Sequence, residues 1–265
     1  MKKIIVANWK MNPATLQSAK RLFDSIKKAT KNLKNVEVVI CPPFVYLSNV
    51  KCPYTAEPSG LRQMSNVKLG SQDCFWENSL KNRGAFTGEI SALMLKNLGC
   101  QYVILGHSER RQHINETDEM ISKKVEAVLK NDLRAILCIG ETKKERETGQ
   151  TKKVLKTQLK KCLKKIIGLP ARFLANLIVV YEPVWAISPN GPCSVAEALE
   201  GILFIKKNTA QIFGQKIGKK IPIIYGGSIN SQNAYEFLKE KEINGVLVGA
   251  ASLNPDEFIS IANQA

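Results

Sequence analysis

Four groups suited to chemistry each follow a short apolar run. Lys10 comes just after Ile4–Asn8, His107 after Tyr102–Gly106, Glu182 after Leu177–Tyr181, and Gly226-Gly227-Ser228 after Ile221–Tyr225. Together they supply an ammonium, an imidazole, a carboxylate and a turn of small residues. A carboxylate and an imidazole are the usual partners in proton transfer. An ammonium stabilises oxyanion charge as it develops. Small-residue turns, here also Gly249-Ala250-Ala251-Ser252, expose backbone N–H groups that bind phosphate. Glu182 ends an apolar run, so desolvation is expected to raise its pKa and suit it to act as a base. His107 directly precedes a predicted helix start, where the macrodipole disfavours the imidazolium. Taken singly, each is an ordinary surface charge, structural histidine or turn. The signal is that they fall after different strands of one repeating pattern.

That pattern has eight β-rich runs: Ile4–Asn8, Val36–Cys41, Val67–Ser71, Tyr102–Gly106, Ala135–Ile139, Leu177–Tyr181, Ile221–Tyr225 and Gly245–Gly249. Most are continuous Val/Ile/Leu runs, as expected for parallel strands buried on both faces. Between them lie amphipathic stretches such as Thr15–Ala29 and Asp118–Lys130. Thr142-x-x-Glu145 and Ser194-x-x-Glu197 read as capping boxes, and Asn254-Pro255 as a cap before a first-turn proline. Phe44–Asn66 is the least regular connection. Eight alternations in 265 residues predict an α/β chain closed as a (β/α)8 barrel, one domain spanning 1–265, with working residues at the carboxyl ends of the strands. The dinucleotide fingerprint and the GxxxxGK[ST] loop are both absent.

Composition narrows the function classes. The chain has 39 Lys+Arg against 23 Asp+Glu, a net charge of +16. The lysines are scattered, and the densest run, Lys152 to Lys165, alternates with Val154, Leu155, Leu159, Leu163 and Ile166 as one solvated helix face. No aromatic residue interleaves there, so no specific nucleic-acid partner is expected. Seven cysteines without a CxxC pair and two histidines give no zinc pattern and suit reduced thiols of a cytoplasmic protein. No metal and no membrane span is expected.

Longer motifs carry a resemblance. Ala7-Asn8-Trp9-Lys10-Met11-Asn12, Gly84-Ala85-Phe86-Thr87-Gly88-Glu89-Ile90, Gly106-His107-Ser108-Glu109-Arg110-Arg111, Leu137-Cys138-Ile139-Gly140-Glu141, Tyr181-Glu182-Pro183-Val184-Trp185-Ala186-Ile187 and Tyr225-Gly226-Gly227-Ser228 resemble the triosephosphate isomerase family, from Met1 to about Ala265. The resemblance implies the TIM barrel and interconversion of D-glyceraldehyde 3-phosphate and dihydroxyacetone phosphate, in glycolysis and gluconeogenesis, without a cofactor. It implies that Glu182 is the base and His107 the neutral electrophile, the roles established for that family. Asn8 and Lys10 would bind the enediolate, with Ser108 and Glu109 in support. Ser188, Ser228, Gly249 and Ala250 would bind the phosphate through N–H groups. It further implies a homodimer in which Thr87 reaches the partner's site.

The chain departs from the family pattern in three places. After Ile187 the lid reads Ser188-Pro189-Asn190-Gly191-Pro192-Cys193, with two prolines that fix φ and remove donors. Ala250 replaces a second glycine, which matters if that position needs a positive φ. Asp73 to Thr87 is about four residues longer than usual, at the loop expected to interlock the dimer. The altered lid leaves an alternative reading, an inactive homologue that binds a sugar phosphate.

Overall fold

A computed structural model describes residues 2–50, 67–77, 84–187 and 191–265. Eight parallel strands close into a barrel in chain order: β1 (Lys3–Asn8), β2 (Val36–Cys41), β3 (Val67–Ser71), β4 (Tyr102–Leu105), β5 (Arg134–Ile139), β6 (Leu177–Tyr181), β7 (Ile223–Tyr225) and β8 (Gly245–Val248). Closure is direct, with Ile4 to Ala7 of β1 in register with Gly245 to Val248 of β8.

The continuous apolar runs are explained by two buried faces. Ile4, Val6, Val39, Cys41, Tyr102, Ile104, Ile136, Cys138, Ile178, Val180, Ile224 and Leu247 form one cluster. Their alternates, including Ile5, Ala7, Val38, Ile40, Val103, Leu105 and Val179, join the helices in a second. Successive strand residues point to opposite faces, so the first cluster fills the barrel and the second seals its outside.

The helices start where local chemistry starts them. The Thr15 side chain accepts the Ser18 N–H ahead of Leu16–Thr30. Both capping boxes form, at Thr142/Glu145 and Ser194/Glu197. Asn254 accepts two N–H groups at the start of Pro255–Asn263. Thr151–Cys162 buries Leu155, Leu159 and Cys162. Strand ends differ by a residue or two from the sequence reading. β7 starts at Ile223 because Pro222 has no N–H to donate. β4 stops at Leu105 because Gly106 turns to φ 68°. In the second connection the described part holds a short 3-10 turn, Phe44–Tyr46, and residues 51–66 lie outside the described set. No helix among the described residues is long and apolar enough to cross a membrane.

Candidate active site

The carboxyl ends of the strands bring the sequence-derived residues to one mouth. Asn8 closes β1 and is buried. Its Oδ1 accepts the N–H of Lys10 at 3.1 Å. Lys10 holds φ 53°, a left-handed backbone that costs a residue with a Cβ about 1–2 kcal/mol. Gln72, just past β3, pins that conformation: its Nε2 donates to the Lys10 carbonyl at 2.8 Å and to the Cys41 carbonyl at 2.9 Å. The Lys10 Nζ lies 2.6 Å from Oε1 of Glu109.

β4 delivers His107 as the residue before the helix Ser108–His113. Its Nδ1 accepts the Glu109 N–H at 3.3 Å, so the proton of the neutral ring belongs on Nε2. Nε2 lies 2.9 Å from Oε1 of Glu182, and both side chains are buried. Ser108 takes the rest of that carboxylate. Its N–H donates to Oε2 and its hydroxyl to Oε1, each at 3.0 Å. A carboxylate thus sits on the first N–H of a helix, where the dipole favours negative charge.

This geometry corrects the expected pKa of Glu182. Burial raises it, as anticipated, but the neighbouring His107 and the two Ser108 donors outweigh burial, and the net direction is downward. For His107, burial disfavours the imidazolium, but the Glu182 charge and hydrogen bond outweigh it and the net direction is upward. The expected depression by the helix terminus is overridden while Glu182 stays docked.

The residues expected to bind phosphate follow β7 and β8. A Cβ added to Gly249 would lie 3.4 Å from Cε of Lys10, so the β8 turn borders the lysine. Ala250 opens a 3-10 turn, Ala250–Leu253, and is not a positive-φ residue, so its Cβ brings no backbone strain. The Ser228 N–H is engaged, donating to the Ala186 carbonyl at 3.0 Å. Among the described residues the buried Ser228 hydroxyl has no partner. Thr87 is exposed on its loop. Ser188, Pro189 and Asn190 lie outside the described residues, as do 78–83 of the long loop.

Two further residues shape the site and were not singled out as site residues. Gln72 is one. Glu141, just past β5, is the other: fully buried, it accepts from Trp185 Nε1 at 2.8 Å and from the Tyr181 hydroxyl at 3.1 Å. It thereby ties down the segment that leads from Glu182 into the lid. The far end of the lid is tied too, since the Cys193 N–H donates to the Tyr225 hydroxyl at 3.3 Å. Reading the residue after every strand, including β3 and β5, would have found both. Among the described residues no group of His, Cys, Asp and Glu is arranged to hold a metal ion.

The site therefore offers a buried carboxylate against an imidazole, and an ammonium beside the turn that follows β8. Comparison with known proteins agrees with that chemistry. Residues 3–265 match the family model for triosephosphate isomerase. The chain is similar to triosephosphate isomerase of Alkaliphilus oremlandii, 44% identical over 262 residues and 99% of each chain. It is also similar to that of Aquifex aeolicus, 44% identical over 98% of each. The crystal structure of triosephosphate isomerase from Bartonella henselae superposes with a TM-score of 0.81 at 33% identity, covering 100% of this chain and 99% of that one. The chain belongs to the triosephosphate isomerase family.

Proposed function

We propose that Glu182 is the base that moves a proton between C1 and C2 of the triose. His107 donates from Nε2 to the carbonyl oxygen, and Lys10 and Asn8 stabilise the enediolate. The reaction is the interconversion of D-glyceraldehyde 3-phosphate and dihydroxyacetone phosphate, an isomerisation that needs no cofactor. The observation that carries the assignment is the buried contact between His107 Nε2 and Glu182 Oε1 at 2.9 Å, beside a helix N-terminus. To reach a substrate carbon the carboxylate must leave Ser108. Leaving also removes the bonds that hold its pKa down, so the same movement makes it a stronger base. Ser108 is then a resting place for the base, and Glu109 a tether for Lys10.

Phosphate is held by N–H groups of Gly249, Ala250, Ser228 and the lid residue Ser188. Engaging Ser228 requires its bond to the Ala186 carbonyl to break, so phosphate capture and movement of the lid's first turn are coupled. We assign the chain to one barrel domain over 1–265 and to a cytoplasmic homodimer in which Thr87 completes the partner's site. Met11 and Val45, large apolar residues left 94% and 72% exposed beyond β1 and β2, support that face as the interface. The inactive-homologue reading is not favoured, because the match to isomerases spans the whole chain.

The test is isomerisation of glyceraldehyde 3-phosphate, coupled to a dehydrogenase that consumes dihydroxyacetone phosphate, with Glu182→Gln alongside. Loss of a general base lowers turnover by about 10²–10⁴-fold. Equal turnover by the two chains would remove Glu182 from the role.

A further inference from the structure

The connection from β5 to β6 includes the helix Thr151–Cys162 and the 3-10 turn Lys164–Ile166. From 151 to 166 it carries seven lysines, no acidic residue, no arginine and no aromatic residue. Leu155, Leu159, Cys162 and Ile166 are buried against the barrel. That turns Lys153, Lys156, Lys160 and Lys164 outward along one ridge, all exposed, about one helical turn apart and about 16 Å end to end. Lys152 and Lys161 are neutralised by Glu200 at 2.9 Å and Glu119 at 3.4 Å. Among the described residues the four ridge lysines have no carboxylate within 4.0 Å.

We propose that this ridge binds the phosphodiester backbone of a single-stranded nucleic acid without reading its bases. The shape of the charge selects that partner. The helices on either side, Asp118–Lys130 and Val195–Phe213, pack against this one and present Glu119 and Glu200. The four ridge lysines thus form a line of exposed charge about 16 Å long. Glu119 and Glu200 are already taken by Lys161 and Lys152, so the ridge keeps its four unpaired ammoniums in a line, and a single chain of phosphates follows a line of point charges. Lysine is a flexible point charge, suited to a repeating anion and not to the bidentate recognition that arginine supplies to an acidic protein surface. Without an aromatic residue the bases have nothing to stack on, so the binding is electrostatic and sequence-independent. The ridge lies on the outer face of the barrel and contains none of the isomerase residues, so the two activities are separable.

Fluorescence anisotropy of a labelled 20-mer of uridylate, titrated with the full chain between about 50 and 200 mM KCl, tests this. Four contacted phosphates give a log–log salt slope of about −3. One variant changes Lys153, Lys156, Lys160 and Lys164 to Gln. A second, of equal net charge, changes the scattered Lys20, Lys28, Lys216 and Lys220 to Gln. The ridge variant is expected to lose at least about tenfold at the lowest salt with a slope near zero, and the scattered variant less than about threefold. Both should keep isomerase turnover and melting temperature. Equal losses in the two variants would reduce the effect to diffuse charge and overturn the proposal. Undetectable binding by the natural chain would overturn it as well. Ridge-dependent binding to phosphatidylserine vesicles with none to the oligonucleotide would reassign the ridge to a membrane.

Discussion

Nε2 of His107 and Oε1 of Glu182 face each other at 2.9 Å inside the barrel mouth, with Ser108 donating to both carboxylate oxygens. The residues proposed as base and electrophile thus hold each other. Removing the Ser108 hydroxyl takes away one donor to the ionised carboxylate. In Ser108→Ala the Glu182 pKa should rise, because hydrogen bonds to the charged form are what hold it below its ordinary value. Carbon-13 NMR of labelled glutamate, with Glu182→Gln for assignment, measures the midpoint. A midpoint unchanged from the natural chain would mean that His107 and the Ser108 N–H restrain the carboxylate without the hydroxyl.

Gly140 and Glu182 are locked backbone to backbone. A Cβ on Gly140 would lie 1.8 Å from the Glu182 carbonyl oxygen and 2.5 Å from its carbonyl carbon. Neither atom can rotate away, so Gly140→Ala must displace the β6 end that carries Glu182. A displacement near 1 Å at a reacting group costs about 10²-fold. We expect Gly140→Ala to fold, by circular dichroism, and to lose about that much kcat with little change in KM. Natural turnover in that variant would show that the β5 and β6 ends adjust independently.

Which parts of this were legible in the sequence follows from the range of the interactions. The strands were readable because both their faces are buried, and the caps at Thr142, Ser194 and Asn254 because a cap is made within three residues. The motif residues were readable because each sits at a strand end. A residue after a strand could be found, but not the partner it meets only when the barrel closes. Gln72 acts on the Lys10 carbonyl 62 positions away, and Glu141 on the Trp185 indole 44 positions away. Burial of Glu182 was inferable from Leu177–Tyr181; the donors that reverse its pKa shift come from β4 and were not. The Ser228 N–H, expected free, is occupied by a carbonyl of the preceding strand's loop.

Gln72 can be tested as the clamp on Lys10. It donates to two carbonyls, Lys10 and Cys41, while Lys10 sits at φ 53°. Gln72→Glu keeps the size and loses the donors, setting a carboxylate against two carbonyl oxygens. Each unsatisfied carbonyl costs about 1–3 kcal/mol, and Lys10 is free to relax toward ordinary backbone angles. Both a lower melting temperature and a fall in kcat/KM of about tenfold or more are expected, the latter through Lys10. Natural kcat/KM in Gln72→Glu would show that Lys10 keeps its place without the clamp.

Asp73 makes stability depend on pH in a direction opposite to most carboxylates. It lies just past β3 among Lys124 at 2.7 Å, Arg110 at 2.8 Å, the buried Glu116 and the thiol of Cys74. Burial raises its pKa, Lys124 lowers it, Glu116 raises it again and Arg110 lowers it; the result is a rise from 3.8 to about 6. The folded chain therefore holds the Asp73 proton over a range in which the unfolded chain has released it. Stability from this group is full below about pH 4 and falls as pH rises through about 6, by at most about 3 kcal/mol. Asp73→Asn cannot release that proton. Urea unfolding at one protein concentration, at pH values on either side of that window, should show the variant gaining on the natural chain as pH rises. A difference that stays flat, or that grows toward acid, would mean that Lys124 and Arg110 fully compensate the buried Asp73 carboxylate.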